Sequence, residues 1–324
     1  MKAVLLSVFA ITIVCVQLPA QDATSRPESP LMKSIRQVQP SIVQIGVTFR
    51  NYPERTKRFL EKTPDVEWHR ASICPDPCVF FDFPAGTGFL ANEDGYVITA
   101  KHVMDAMRTE PKFADAQGKF DLGQRIPSVR IQMPNVGELD EPGPKTRGAF
   151  YAADFQEVDE DPVHDLALLR LRYNPFSTDA GVLHTAKGDV KILQVKASKF
   201  STSRPDEGEP IAVSGYPLSS PVLITTSGAI ASSWVLEQRD LPSGAPRLSV
   251  PHVSDAYLAD MHVNHGNSGG PVFSVPDGAV IGVCVSVVPD SLGNGWYNSG
   301  LSLMVPAKYV LELLNKNHVR WAAP

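Results

Sequence analysis

The segment HGNSGGP, at residues 265–271, places Ser268 among three glycines. Glycine lets the backbone turn sharply, so that the Ser268 Oγ can project and the N–H groups of Gly266 and Ser268 can point to one position. A hydroxyl beside two such donors can attack a carbonyl carbon, while the donors hold the charge that develops on its oxygen. Taken alone, the segment is equally compatible with a plain glycine-rich turn.

Two further segments supply the other groups that this chemistry needs. TAKHV (99–103) ends an apolar strand pattern and carries His102, and VHDLAL (163–168) places Asp165 directly before an apolar run. A histidine can take the proton of a serine hydroxyl, and an aspartate can fix the histidine tautomer. Because all three segments occur together, the serine turn is interpreted as part of a catalytic site.

These three segments resemble the His, Asp and Ser motifs of trypsin-like serine peptidases. The chain order His, Asp, Ser is that of the chymotrypsin fold, whereas subtilisins and α/β-hydrolases use other orders. Within the family the sequence resembles the HtrA-type branch, through PSIV (40–43), GTGF (86–89), GYVITAKHV (95–103), Asp260 with Asn264 before GNSGGP, VIG (280–282) and VP (305–306).

The resemblance implies an all-β fold of two packed antiparallel six-stranded barrels with a short C-terminal helix. It also implies a serine endopeptidase that hydrolyses polypeptides, including unfolded proteins. His102 would be the general base, Asp165 would orient it, Ser268 would form the acyl-enzyme, and the N–H groups of Gly266 and Ser268 would form the oxyanion hole. HtrA-type proteins usually carry a C-terminal PDZ domain, which we do not expect in the short stretch after Pro306.

The pattern of apolar residues agrees with many short strands. We expect a helix over 31–38, a strand over 41–47, a long surface loop over 50–82 and a hairpin over 89–99. Further strands are expected at 129–132, 166–171, 211–214, 222–227, 229–233, 272–274, 280–288 and 301–305, and the acidic run 157–161 is read as a solvated loop. The first barrel would cover about 40–175, the second about 190–306, and a helix 307–317.

Residues 1–20 are predicted to be a signal peptide, followed by an N-terminal segment (21–82) and the rest of the peptidase domain (83–324). Lys2 precedes an apolar stretch from Ala3 to Val16, and Ala20 precedes the expected cleavage site. We therefore expect export to the periplasm or the medium, with an uncleaved membrane anchor as the alternative. No later run reaches the ~18 apolar residues of a membrane span.

Composition excludes several other classes. The chain has 43% hydrophobic and 20% charged residues, as in ordinary globular proteins, and a net charge of −5, which does not favour nucleic acid. In the exported protein, Cys74 and Cys78 could form a small disulfide, while Cys284 lies in an apolar run and should stay free. No His/Cys pair has the spacing of zinc ligands, so neither a metal nor a cofactor is expected.

The resemblance to trypsin-like peptidases also implies a specificity pocket. It places His262 and Val263, six and five residues before the serine, in the pocket, together with Cys284, Val287 and Ser302. The base of this pocket carries no carboxylate, unlike that of trypsin-type enzymes, so aliphatic side chains of moderate size are expected to fit it.

Two other histidines, His164 and His265, flank the motifs and are interpreted as neighbours only. Two other functions remain open. One is a chaperone-like or peptide-binding protein on the same scaffold, and the other is a V8-like glutamate-preferring peptidase, to which GYP (215–217) is similar.

Overall fold

Two antiparallel β structures form the framework of the described residues in a computed structural model. It describes residues 27–51, 69–70, 79–109, 124–132, 150–177, 182–185, 188–191, 195–220, 222–233, 255–290 and 297–324. The predicted fold class, two barrel-like antiparallel sheets and a short C-terminal helix, is confirmed by this architecture. The expected disulfide, Cys74 with Cys78, and the signal peptide lie outside the described residues.

The N-terminal β structure is an antiparallel sheet with the strand order β6-β5-β1-β3-β4-β8-β7, and β2 pairs with β3. Its strands are β1 (Ile42–Asn51), β2 (His69–Arg70), β3 (Val79–Leu90), β4 (Tyr96–Ala100), β5 (Gln124–Gln132), β6 (Phe150–Ala153), β7 (Phe155–Asp161) and β8 (Leu166–Leu171). Within the described residues this sheet therefore has eight strands, against the six expected for a barrel.

The C-terminal β structure is a closed six-stranded barrel with the strand order β11-β12-β13-β16-β15-β14. Its strands are β11 (Pro210–Gly215), β12 (Ile224–Ser232), β13 (Tyr257–Asp260), β14 (Pro271–Ser274), β15 (Val280–Asp290) and β16 (Tyr297–Pro306). A separate hairpin of β9 (Val182–Thr185) and β10 (Gly188–Lys191) lies between the two structures in sequence. Closure leaves this barrel without an unpaired edge strand.

In the part of the chain that the structure describes, three α-helices flank the strands: α1 (Pro30–Val38), α2 (Lys101–Thr109) and α3 (Ala307–Lys316). Ser29 caps α1 by accepting a hydrogen bond from the N–H of Met32, and the apolar side of α1 packs against the second barrel. Short 3₁₀ turns lie at Gln39–Ser41, directly after α1, and at Pro217–Ser219, after β11. None of the helices in the described residues combines the length and apolar character that crossing a membrane requires.

Two sequence predictions are corrected by the strands. Arg50, Asn51 and residues 79–82, expected in the long loop, extend β1 and β3, which pair from Ile42–Phe89 as far as Asn51–Val79. The acidic run 157–161 is part of β7, which pairs with β8, and is not a loop. Cations stabilise that acidic strand: Arg108 contacts Glu157 and Glu160, and Lys316 contacts Asp159.

Candidate active site

His102 is carried into the site by the direct passage of strand β4 into helix α2. β4 ends at Ala100 and α2 begins at Lys101, so His102 lies in the first helical turn. Val103, Met104 and Met107 are buried and fix the helix on the core of the first sheet. The imidazole itself is 43% exposed, which leaves it accessible to a substrate.

Asp165 lies beside His102 because β4 and β8 are neighbours in register, with Ala100 opposite Leu166. The His102 Nδ1 is 2.6 Å from the Asp165 Oδ2, and the Asp165 side chain is only 9% exposed. Since a carboxylate accepts the hydrogen bond, Nδ1 carries the proton and Nε2 is left free to take one. The pair therefore has the geometry of a histidine base with its orienting carboxylate.

The N-terminus of α2 holds Asp165 by two further contacts. The backbone N–H of His102 donates to the Asp165 Oδ1 at 2.8 Å, and that of Lys101 donates to the Asp165 carbonyl oxygen at 2.9 Å. Negative charge is stabilised at a helix N-terminus, where N–H groups lack partners within the helix. Asp165 adopts a left-handed backbone conformation (φ 56°), which is uncommon for a residue with a Cβ.

Ser268 sits in a turn shaped by glycine. Gly266 has φ 101°, and a Cβ there would lie 2.3 Å from the Tyr216 carbonyl oxygen, so this position excludes any side chain. The N–H of Gly269 donates to the Cys284 carbonyl at 2.7 Å, which fastens the turn to β15. The sequence expectation of a sharp glycine turn around the serine matches this geometry.

The two N–H groups expected to bind an oxyanion differ from their neighbours in the turn. The N–H groups of Asn267, Gly269 and Gly270 all donate to backbone carbonyls. Those of Gly266 and Ser268 have no acceptor among the described residues. Unpaired backbone donors are costly when buried, and they are common where a ligand or a reacting oxygen is bound.

The serine turn and the histidine helix meet at Gly86 in β3. A Cβ at Gly86 would lie 2.6 Å from the Val103 Cγ2 and 3.0 Å from the Ser268 carbonyl oxygen. Only a glycine backbone therefore fits between the helix that carries His102 and the turn that carries Ser268. This close approach explains in physical terms why the GTGF segment begins with glycine.

Thr87 is a structural residue of the site that the sequence analysis did not single out. Its Oγ1 donates to the Gly266 carbonyl at 2.6 Å and accepts from the Tyr216 N–H at 3.0 Å. Its own N–H donates to the Ser268 carbonyl at 2.9 Å. In the sequence, the only indication of this role is that a polar, β-branched residue stands between two glycines. Thr87 is fully buried, so its hydroxyl needs hydrogen-bond partners inside the protein.

The five pocket candidates do not all lie together. Val263 and Cys284 are buried in the core of the second barrel, and the partly buried Val287 packs against the same cluster. Burial raises the pKa of the Cys284 thiol to about 12. Ser302 is paired with Val287 in the β15–β16 register, and its hydroxyl donates to the Met261 carbonyl.

His262 stands apart from these four residues because its side chain is exposed. Its ring lies near the backbone of Gly300, where an added Cβ would be 3.4 Å from the His262 Cε1. The other predicted residues therefore form an apolar group with one hydroxyl, and the imidazole is turned towards solvent.

Comparison with known proteins identifies the family. The sequence profile of the trypsin-like peptidase domain matches residues 86–283, which is more than half of the chain. The chain belongs to the trypsin-like peptidase domain family. The resemblance stated from its motifs is thereby confirmed, and the family places the protein in the class of serine-type peptidases.

The relatives include HtrA-type and DegP-like proteases. The chain is 25% identical over 237 residues to serine protease HTRA1 of Xenopus tropicalis, covering 73% of this chain and 36% of that protein. It is 24% identical over 281 residues to a probable periplasmic serine endoprotease DegP-like of Marinomonas sp. (strain MWYL1), covering 87% and 43%. The chain thus spans less than half the length of these two relatives.

A solved structure shows the same fold. The structure described as HtrA-type protease AlgW with decapeptide superposes with a TM-score of 0.51 at 14% identity, covering 87% of this chain and 66% of that one. At this identity the likeness concerns the fold, and the chemistry of the site rests on the residues described above.

Proposed function

We propose that the protein is an exported serine endopeptidase in which His102, Asp165 and Ser268 form the catalytic triad. The observation that carries the proposal is the 2.6 Å contact between the His102 Nδ1 and the Asp165 Oδ2. Helix α2, which carries His102, and the turn that carries Ser268 approach each other closely on either side of Gly86. Two observations support export. Residues 1–20 have the pattern of a signal peptide, and a relative is named a probable periplasmic serine endoprotease. The substrates would be polypeptides, including unfolded ones.

The reaction would proceed through an acyl-enzyme. The Ser268 Oγ attacks the carbonyl carbon of the scissile peptide bond while its proton passes to the His102 Nε2. The N–H groups of Gly266 and Ser268 stabilise the tetrahedral oxyanion. His102 then gives the proton to the leaving amine, the C–N bond breaks, and a water molecule activated by the same base hydrolyses the ester. Asp165 stabilises the imidazolium at each step.

The test is hydrolysis of unfolded casein by the mature chain, with a fluorophosphonate probe that labels activated serines. We expect degradation together with one probe adduct, and both should be absent in Ser268→Ala. Casein bound and protected from aggregation, without cleavage or adduct, would favour the chaperone-like alternative instead.

We predict that cleavage follows Val, Ile, Leu or Ala and is at least ~100-fold weaker after Lys or Arg. Val263 and Val287 are apolar, and the proposed lining contains no carboxylate that could pair with a cation. Burial of an unpaired charge costs about 3–5 kcal/mol, which corresponds to more than a hundredfold in rate. Peptide-library profiling measures the preference, with Val287→Ala as the matched variant that should admit larger side chains. A dominant preference for Lys or Arg would reject this pocket.

We also predict full activity without proteolytic processing beyond the signal site. Zymogen-type relatives have an aspartate before the serine that pairs with a newly freed amino group, whereas this chain has the uncharged Asn267. Asn267 is 3% exposed, and its Oδ1 has no hydrogen-bond partner among the described residues. Protein beginning at Gln21 should therefore be active as purified, as shown by intact mass and casein hydrolysis measured together.

The Asn267→Asp variant is the matched probe of that prediction. A carboxylate at this position would be buried where the described residues give the Asn267 Oδ1 no hydrogen-bond partner, at a cost of several kcal/mol in folding stability. We therefore expect a clearly lower Tm than for the wild type. Activity that appears only after a defined cleavage beyond Gln21 would contradict the prediction.

A further inference from the structure

His164, the residue directly before Asp165, is held by contacts on both sides. Its Nδ1 is 2.6 Å from the Asp161 Oδ2. Its ring stacks on the ring of Tyr309, with centroids 3.4 Å apart and planes inclined by 16°. The His164 side chain is only 14% exposed, so most of its ring is shielded from water. From its place in the sequence alone, His164 is expected to be only a neighbour of the catalytic motif.

Tyr309 belongs to helix α3, which follows the last strand of the second barrel. Its hydroxyl donates to the Asp255 Oδ2 at 2.9 Å, and Asp255 also contacts Lys308 and Arg204. Asp255 lies just before β13, so Tyr309 is joined to the second barrel both through its helix and through its hydroxyl. The turn between β7 and β8, residues 162–165, ends at Asp165 and is called the aspartate turn below. The His164–Tyr309 stack therefore connects the aspartate turn to the second barrel, which carries the Ser268 turn.

The aspartate turn is a place where such support matters. Asp165 has φ 56°, which is a left-handed backbone conformation. A residue with a Cβ keeps this unfavourable conformation only when the surrounding structure holds it there. The Asp161 Oδ1 accepts hydrogen bonds from the N–H groups of Val163 and His164, at 3.0 and 3.1 Å. One carboxylate thus binds both the backbone of the turn and the His164 ring, and the stack on Tyr309 holds that ring in place.

We propose that His164 and Tyr309 are positioning residues for the triad. Their stack fixes the left-handed turn at Asp165, and with it the direction in which the carboxylate meets His102. Neither residue touches substrate. The proposal rests on the triad proposed above, because it concerns the rate of the step that His102 and Asp165 support. The effect should fall on kcat, since a displacement of about 1 Å at a reacting group can cost ~100-fold in rate.

The test compares kcat and KM for a fluorogenic peptide in the full mature chain. We expect His164→Ala to lower kcat by about 10- to 100-fold, with KM changed less than twofold. His164→Asn, whose amide can still donate to Asp161, should recover part of the loss. Tyr309→Leu, which removes the stack, should lower kcat in the same direction. Glu312→Ala, an exposed substitution on the same helix, is the matched control and should leave kcat unchanged.

A double-mutant cycle separates positioning from general support of the fold. If His164 acts through Asp165, adding His164→Ala to Asp165→Asn should lower the residual kcat less than twofold further. Equal losses from His164→Ala in both backgrounds would overturn the proposal. So would an unchanged kcat in soluble His164→Ala and Tyr309→Leu proteins. Absence of Ser268-dependent hydrolysis in the wild type would instead reject the proposed function itself, and the two failures are therefore distinguishable.

Discussion

Replacing Ser268 or His102 by alanine should lower peptide hydrolysis by about 10⁴- to 10⁶-fold, since the members of a triad act as a unit. Ser268→Ala removes the nucleophile, and His102→Ala removes the group that takes its proton. Neither side chain is part of the buried apolar core, so the fold should remain. The measurement is kcat/KM for a fluorogenic peptide, with thermal unfolding recorded for each variant.

Ser203→Ala, an exposed serine outside the site, is the matched control for this experiment and should retain wild-type rates. Hydrolysis by folded Ser268→Ala or His102→Ala at a rate close to that of the wild type would remove the triad assignment. A loss of the same size in the control would show a general defect of the preparation.

Asp165→Asn should lower kcat by about 10⁴-fold although it is nearly isosteric. The Asp165 Oδ1 accepts the His102 backbone N–H, so the amide oxygen of asparagine would keep that place. The amide nitrogen would then face the His102 Nδ1 and donate to it. Nδ1 would have to be unprotonated, and Nε2 would carry the proton and be unable to accept one from Ser268.

Rate measurements and thermal unfolding of Asp165→Asn check this expectation, with Asp206→Asn, an exposed residue, as the control. A kcat within tenfold of the wild type would mean that the carboxylate does not set the histidine tautomer. Loss of folding would show as a lower Tm, which distinguishes it from loss of the base.

The motifs of the proposed site were easier to recognise in the sequence than the residues at which the strands begin and end. Ser268, His102 and Asp165 lie within short motifs whose residue types are dictated by chemistry and by close backbone approach, as at Gly86 and Gly266. Such local demands are visible in a single sequence. Strands β4, β8 and β14, which adjoin these motifs, were also predicted, because buried strands give continuous apolar runs.

The features that the sequence did not predict depend on their surroundings in the folded protein. The acidic strand β7 has the composition of a solvated loop, and it forms a strand because β8 pairs with it and Arg108 and Lys316 contact its carboxylates. Helix α2 was not predicted, since its short apolar pattern follows directly on that of β4. The stack of His164 on Tyr309 joins residues far apart in sequence, and no local pattern specifies it.

The most direct test of the proposed triad is the site of fluorophosphonate modification in the mature protein. Peptide mapping by mass spectrometry should find one adduct, on Ser268, in the wild type and none on Ser268 in folded His102→Ala. The adduct requires a serine that a neighbouring base activates, because an ordinary hydroxyl is a weak nucleophile. An unmodified Ser268 in the folded wild-type protein, or an adduct on another serine, would contradict the account.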